Sequence, residues 1–168
     1  MMNTTYTTPS DLHGRGTKLF SVREMTEADV RRAYALIESV RADVSFQAWR
    51  RHIATVRASN ADPAVPGGAI ALICPQDYVY GVFTYTMRRT LAIGCSLIVD
   101  DFCASSLGND PVPANALLQA ADELAGQHGC RSVCIHFLDS TVYEQIDLPG
   151  VASGGSYSPL AAMTKMIS

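Results

Sequence analysis

The chain has 168 residues, 48% of them hydrophobic and 17% charged, and its 13 Lys and Arg against 16 Asp and Glu give a formal net charge of −3. That length and apolar content suit one domain with a sizeable core, and singly scattered cations on a slightly acidic chain argue against a nucleic-acid surface. No apolar run reaches the ~18–20 residues that span a bilayer, and the first residues lack a charged-then-apolar signal pattern, so a cytoplasmic protein with no membrane segment is expected.

Residues 1–18 are rich in Thr, with Pro9, Gly14 and Gly16 and few large aliphatics, and are expected to form a flexible tail ahead of one domain over 19–168. Leu19 to Arg23 reads as a short strand. Thr26-Glu27-Ala28-Asp29 then has the form of a capping box, and Val30, Ala33, Tyr34, Ile37 and Val40 recur at helical spacing to about Arg41. Ser45 caps a second amphipathic helix running to about Ala58. Trp49 and His52 on it are either a core Trp and a surface His or the lining of a substrate mouth. The pairs Arg31-Arg32, Arg50-Arg51 and Arg88-Arg89 fit solvated helix faces or a strand end.

Breaker-rich residues 60–68 mark a loop, after which the period changes. Residues 69–74 and 78–86 are strand-like and joined by Pro75-Gln76-Asp77 as a hairpin, and 91–104 is a third strand, which suggests an antiparallel meander. Asn109 or Asp110 can cap the next helix, with Pro111 or Pro113 in its first turn, where a missing N–H costs least. That helix is expected over 114–128, with Leu117, Leu118, Ala121 and Leu124 on one face and Gly129 as its stop. A strand over 131–138 follows and should run parallel to the strand before the helix. A short helix at 141–146, the Gly154-Gly155 loop and a last strand within 159–167 complete the order.

The cysteines, Cys74, Cys95, Cys103, Cys130 and Cys134, are odd in number and lack Cys-x-x-Cys spacing, so no disulfide framework or metal site is expected. Cys103 stands nearest the strand-to-helix junction as either a packed thiol or a nucleophile. His136, in an apolar strand, is read as a satisfied core histidine before a base.

The order of elements resembles the GNAT superfamily of acyl-CoA-dependent N-acyltransferases over residues 19–168, an α/β (α+β) fold with a mostly antiparallel mixed sheet and a central strand-helix-strand acyl-CoA unit. Val22-Arg23-Glu24-Met25-Thr26-Glu27-Ala28-Asp29 is similar to the family's opening strand and helix. The family's acyl-CoA loop has Gln or Arg, two residues, Gly, one residue, Gly or Ala, and then a helix with paired Leu. Counting back from Leu117-Leu118 puts Ala114 at the last small position, Val112 at the Gly and Asn109 at the Arg or Gln. Asp101-Phe102-Cys103-Ala104 falls on the end of the family's fourth strand. Tyr143-Glu144-Gln145-Ile146-Asp147-Leu148 and Met163 to Ile167 resemble its closing segments.

The resemblance implies acetyl-CoA as co-substrate, a small-molecule or protein amine as acceptor, and a possible homodimer. It assigns acyl and pantetheine contacts to the backbone of Cys103, Ala104 and Ser105. Phosphate contacts fall to Asn109, Asp110, Val112, Ala114, Asn115 and Ala116. Tyr143 becomes the acid that protonates the departing CoA thiolate, and Asp100 or Asp101 the base. Adjacent strand residues point to opposite faces, so at most one of those carboxylates should face the acceptor. Small residues at Ala104, Ser105 and Ser106 leave room for other acyl groups. Pro111 and Pro113 lack N–H groups, Val112 is β-branched, and Asp110 is acidic; these features oppose diphosphate binding. They support a second reading, a GNAT-fold protein that has lost efficient acyl-CoA binding and acts as a binding or regulatory module.

Overall fold

The computed structural model describes residues 3–7, 19–59, 66–105, 112–138 and 162–166. Among them, seven strands form one sheet whose spatial order follows the chain: β1 (Asn3–Thr7), β2 (Leu19–Glu24), β3 (Gly67–Ile73), β4 (Val79–Thr90), β5 (Gly94–Ala104), β6 (Ser132–Phe137) and β7 (Ala162–Met166). Every neighbouring pair is antiparallel except β5 and β6, which are parallel. Helix α3 (Val112–Gln127) connects those two, as a parallel pair requires. The fold is therefore α/β with a mostly antiparallel mixed sheet, and none of its described helices is long and apolar enough to cross a membrane.

Helices α1 (Glu27–Val40) and α2 (Phe46–Ser59) cover one face of the sheet and α3 the other. β3 shows how the sequence divides the two cores. All seven of its residues are buried, Ile70 and Leu72 toward α3 and the small Ala69 and Ala71 toward α1 and α2. Within the α3-side core Phe102 stacks on Phe83 and meets Phe137 edge-on. A Cβ added at Gly81 on β4 would come within 2.5 Å of Leu117 Cδ1, so a glycine there lets α3 approach the sheet.

Some boundaries differ from those expected. Asn3–Thr7, expected to be part of a tail, pair with Leu19–Arg23 as an edge strand. The backbone hydrogen bonds of a sheet edge stabilise a short segment whose β-branched Thr residues favour extended conformations. Residues 91–93, expected in β5, form the turn after β4, which instead runs on to Thr90 through the exposed Arg88 and Arg89. α3 starts two residues early, at Val112, because Pro113 is compatible with a first turn. Gly129, with φ +64°, ends it as expected. The segment expected as a helix at 141–146 lies outside the described residues.

α1 is fixed by one buried carboxylate. Asp29 Oδ2 accepts from Thr26 N–H at 2.8 Å, from Thr26 Oγ1 at 2.6 Å and from Arg23 Nη1 at 2.6 Å, and Arg23 Nη2 reaches Oδ1 at 3.0 Å. Burial alone would raise this carboxyl, but the bonds from Thr26 and Arg23 outweigh it and hold the group below the ordinary 3.8. The Asp29→Ala substitution should cost about 2 kcal/mol in urea unfolding near neutral pH, through loss of the cap and stranding of Arg23. Because the folded-state value is depressed, the stabilisation is present above 3.8 and disappears as pH falls through the lower folded value. The gap between wild type and variant should close in acid; a constant gap would contradict this origin.

Candidate active site

β5 carries one residue more than either neighbour. Against β4 the register passes from Val82↔Cys103 to Thr84↔Asp100, and against β6 from Phe102↔Phe137 to Val99↔Ile135. Between these pairs one residue on each neighbour, Phe83 or His136, faces two on β5, and the residue common to both is Asp101, at φ +54°. That left-handed conformation is one that Asp tolerates better than most L-residues.

The bulge changes which way the carboxylates point. Leu97 and Val99 face the α3 core and so do Phe102 and Ala104 beyond it. Asp100 keeps the strand's alternation and meets His136 on β6, while the inserted Asp101 turns to Thr84 and to His52 on α2. Both carboxylates thus lie on the α1–α2 face. Strict alternation fails where a residue is inserted, and of the two carboxylates Asp101 lines the cleft described below.

Asp101 Oδ2 lies 2.6 Å from His52 Nε2 and 2.7 Å from Thr84 Oγ1. Burial pushes the Asp101 carboxyl up, but the bonds from His52 and Thr84, with the charges of His52 and Arg41, bring it below its ordinary value. The hydrogen bond to Asp101 raises His52, against opposition from burial and with help from the negative charges of Asp101 and Asp100. With Asp101 ionised, Nε2 carries the proton and donates it, so the lone pair resides on Nδ1. The pair borders a cleft of about 240 Å³ whose apolar lining includes Ile37, Val44, Trp49 and Leu138, with Arg41 at its polar side. Trp49 is both a core residue and a wall, being buried with its indole N–H donated to the Val30 carbonyl at 2.9 Å. Ser45 caps α2 through its hydroxyl to Ala48 N–H and so helps set the helix that carries Trp49 and His52.

The remaining expected residues divide by location. The β5–β6 register ends at Phe102↔Phe137, whereas β5 continues through Ala104, paired with Gly81 of β4. Ser105 N–H is donated to the Tyr80 carbonyl at 2.7 Å. Ladder alternation then turns the backbone groups of Ala104 toward the β6 side. The Cys103 side chain is fully buried in the α1–α2 core, which gives the thiol a packing role. At the start of α3, Val112 packs on the α3-side core, Ala114 and Ala116 are buried, and Asn115 is exposed. Pro113, in the first turn of α3, contributes no backbone donor to the helix start. Asn109, Asp110 and Tyr143 lie outside the described residues. His136 is half-buried and bonded to Asp100 at 2.5 Å, which makes it satisfied but not a core residue.

No family model and no curated protein matches the sequence. Solved structures do match its fold. A Salmonella typhimurium acetyl transferase that modifies the N-terminal serine of ribosomal protein L7/L12 superposes with a TM-score of 0.61 at 14% identity, covering 89% of this chain and 95% of that one. An acetyltransferase of the GNAT family from Streptococcus pneumoniae gives 0.56 at 12% identity, over 88% and 99% of the two chains. The spermidine N-acetyltransferase of Vibrio cholerae, solved with CoA and spermine, gives 0.56 at 12% identity over 88% and 95%. The chain has the GNAT fold.

The His52–Asp101 contact makes a titration prediction. By NMR, the His52 imidazole should titrate above its ordinary 6.5, and Asp101→Asn should bring it back toward that value. The raised histidine contributes stability below 6.5 that is lost as pH climbs through its folded value, and the depressed Asp101 contributes above 3.8. A His52 midpoint unchanged by Asp101→Asn would contradict the pairing.

Proposed function

We propose that this protein transfers an acetyl group from acetyl-CoA to a primary amine of a small molecule or protein. The observation that carries the reading is the His52–Asp101 pair beside the apolar cleft, at the bulge just before β5 outruns β6. An acceptor amine entering the cleft would meet an imidazole whose tautomer is held by a carboxylate. Nδ1 can then accept the amine proton as nitrogen attacks the thioester carbonyl. A pantetheine arm alongside β5 would find the backbone of Cys103, Ala104 and Ser105, with Ala104 turned toward the β6 side, and the developing oxyanion would be met by a strand N–H.

The diphosphate would sit at the start of α3, near Val112, Ala114, Asn115 and Ala116, with Asn109 and Asp110 just before it in sequence. Tyr143 is the proposed acid for the CoA thiolate, because a phenol is a neutral proton donor at pH 7. The neighbouring structures that act on a ribosomal protein terminus and on spermidine support an amine acceptor of either kind.

One observation favours a second reading. Pro113 in the first turn removes a backbone donor from the helix start, which thins the cradle for a diphosphate. A GNAT-fold protein with this loop would serve as a binding or regulatory module if the coenzyme no longer binds. Thermal denaturation separates the two. Acetyl-CoA at a hundredfold excess over Kd should raise the melting temperature by about 5 °C or more, and no shift at millimolar coenzyme would leave only the second reading.

For the active protein, His52→Ala should lower kcat/KM about 100-fold. The wild-type rate should rise with pH as His52 loses its proton, with a midpoint above 6.5 that Asp101→Asn moves down. Tyr143→Phe should lower kcat about tenfold or more while acetyl-CoA affinity holds. A pH profile unmoved by Asp101→Asn would remove the pair from the mechanism.

A further inference from the structure

A second group of side chains on the same sheet face has a chemistry that amine transfer leaves unused. Cys134 and His136 are two residues apart on β6 and so share a side, opposite Val133, Ile135 and Phe137 in the α3-side core. Cys134 Sγ lies 3.7 Å from His136 Nε2, and His136 Nδ1 lies 2.5 Å from Asp100 Oδ1. With Asp100 ionised, Nδ1 holds the proton and donates it, which directs the Nε2 lone pair to the thiol. Thiol, imidazole and carboxylate therefore stand in the sequence of nucleophile, base and orienting group.

The site is open to reagents. The side chains of His136 and Asp100 are 40% and 46% exposed and Cys134 is half-buried, whereas Cys74, Cys95, Cys103 and Cys130 are all buried. Burial, with Cys95 alongside, also pushes the Cys130 thiol up to about 12, which disfavours its thiolate. The relay adjoins the acceptor cleft at consecutive residues, Asp100 serving His136 and Asp101 serving His52.

We propose that Cys134 is an acyl-accepting nucleophile, a second acceptor for the acyl group on the chain itself. The inference rests on the acyl-CoA reading above. In the step, Cys134 sulfur attacks the thioester carbonyl of acyl-CoA as His136 Nε2 takes the thiol proton. The bond from carbonyl carbon to CoA sulfur breaks, and His136 passes the proton to the departing CoA thiolate. The products are an acyl-cysteine and free CoA, with no oxidant or other co-reactant needed. The acyl-cysteine is itself a thioester, so an amine or water can later remove the group and restore the thiol. Asp100 acts through His136 as a positioning residue.

The test is acid-quenched peptide mass spectrometry of the full chain incubated with acetyl-CoA and no amine, alongside thermal denaturation with the same coenzyme. One acetyl group should appear on Cys134, be removed by hydroxylamine, and form about 100-fold more slowly in His136→Ala. His136→Gln should show the same loss should the alanine variant prove unstable, and Asp100→Asn should slow labelling without abolishing the thermal shift. A thermal shift with Cys134 unmodified, or labelling as fast in His136→Ala and His136→Gln as in wild type, would overturn the relay and leave acyl-CoA binding standing. Neither shift nor label would overturn both.

Discussion

The site depends on one inserted residue. Without the bulge, β5 would alternate through its length and Asp101 itself would face the α3 core, where burying a carboxylate is costly. With it, two consecutive acids lie on one face, and each meets a histidine from a different element, α2 in one case and β6 in the other. The left-handed backbone at Asp101 is held by what surrounds it. Thr84 and His52 both bond its carboxylate, and Phe102 immediately beyond is locked among Phe83 and Phe137. A strained conformation so over-determined by its neighbours is a reasonable place to look for chemistry.

The rest of the fold serves to hold α2 and the ends of β5 in register. Asp29 fixes the start of α1 to β2 through Arg23, and Trp49 fixes α2 to α1 through the Val30 carbonyl. His52, three residues beyond Trp49 and therefore on nearly the same side of α2, is delivered to Asp101 by that chain of contacts. On the opposite face, the close approach at Gly81 brings α3 over β4 and β5. The start of α3 and the far end of β5 thus come together on the α3 side of the sheet, with the cleft on the other face. On the proposed reading, this division would keep coenzyme and acceptor on separate elements.

Much of this was legible in the residues. Apolar positions at spacings of three and four defined the three described helices, Thr26 and Asp29 marked the first cap, and the interval between β5 and β6 implied their parallel pairing. Period-2 reasoning failed at Asp100-Asp101, because a bulge is a property of the pairing with two other strands and leaves no local mark beyond an Asp that tolerates a left-handed backbone. His52 could be placed at a possible substrate mouth, but its partner is 49 residues away in sequence. Cys134 and His136 carry no local mark of a relay in the sequence, because Asp100, which orients His136, comes from another strand. The first strand was missed for a different reason: the edge of β2 supplies the hydrogen bonds that residues 3–7 need, and composition carries no record of a vacant edge.

The central claim is that the bulge at Asp101 places a histidine base beside an acyl thioester. A crystal structure with acetyl-CoA and an unreactive acceptor analogue tests it most directly. Pantetheine should lie alongside residues 103–105, with the thioester carbonyl bonded to a β5 backbone N–H and His52 Nδ1 facing the acceptor nitrogen. Coenzyme bound elsewhere, or a thioester facing away from His52 and Asp101, would contradict it.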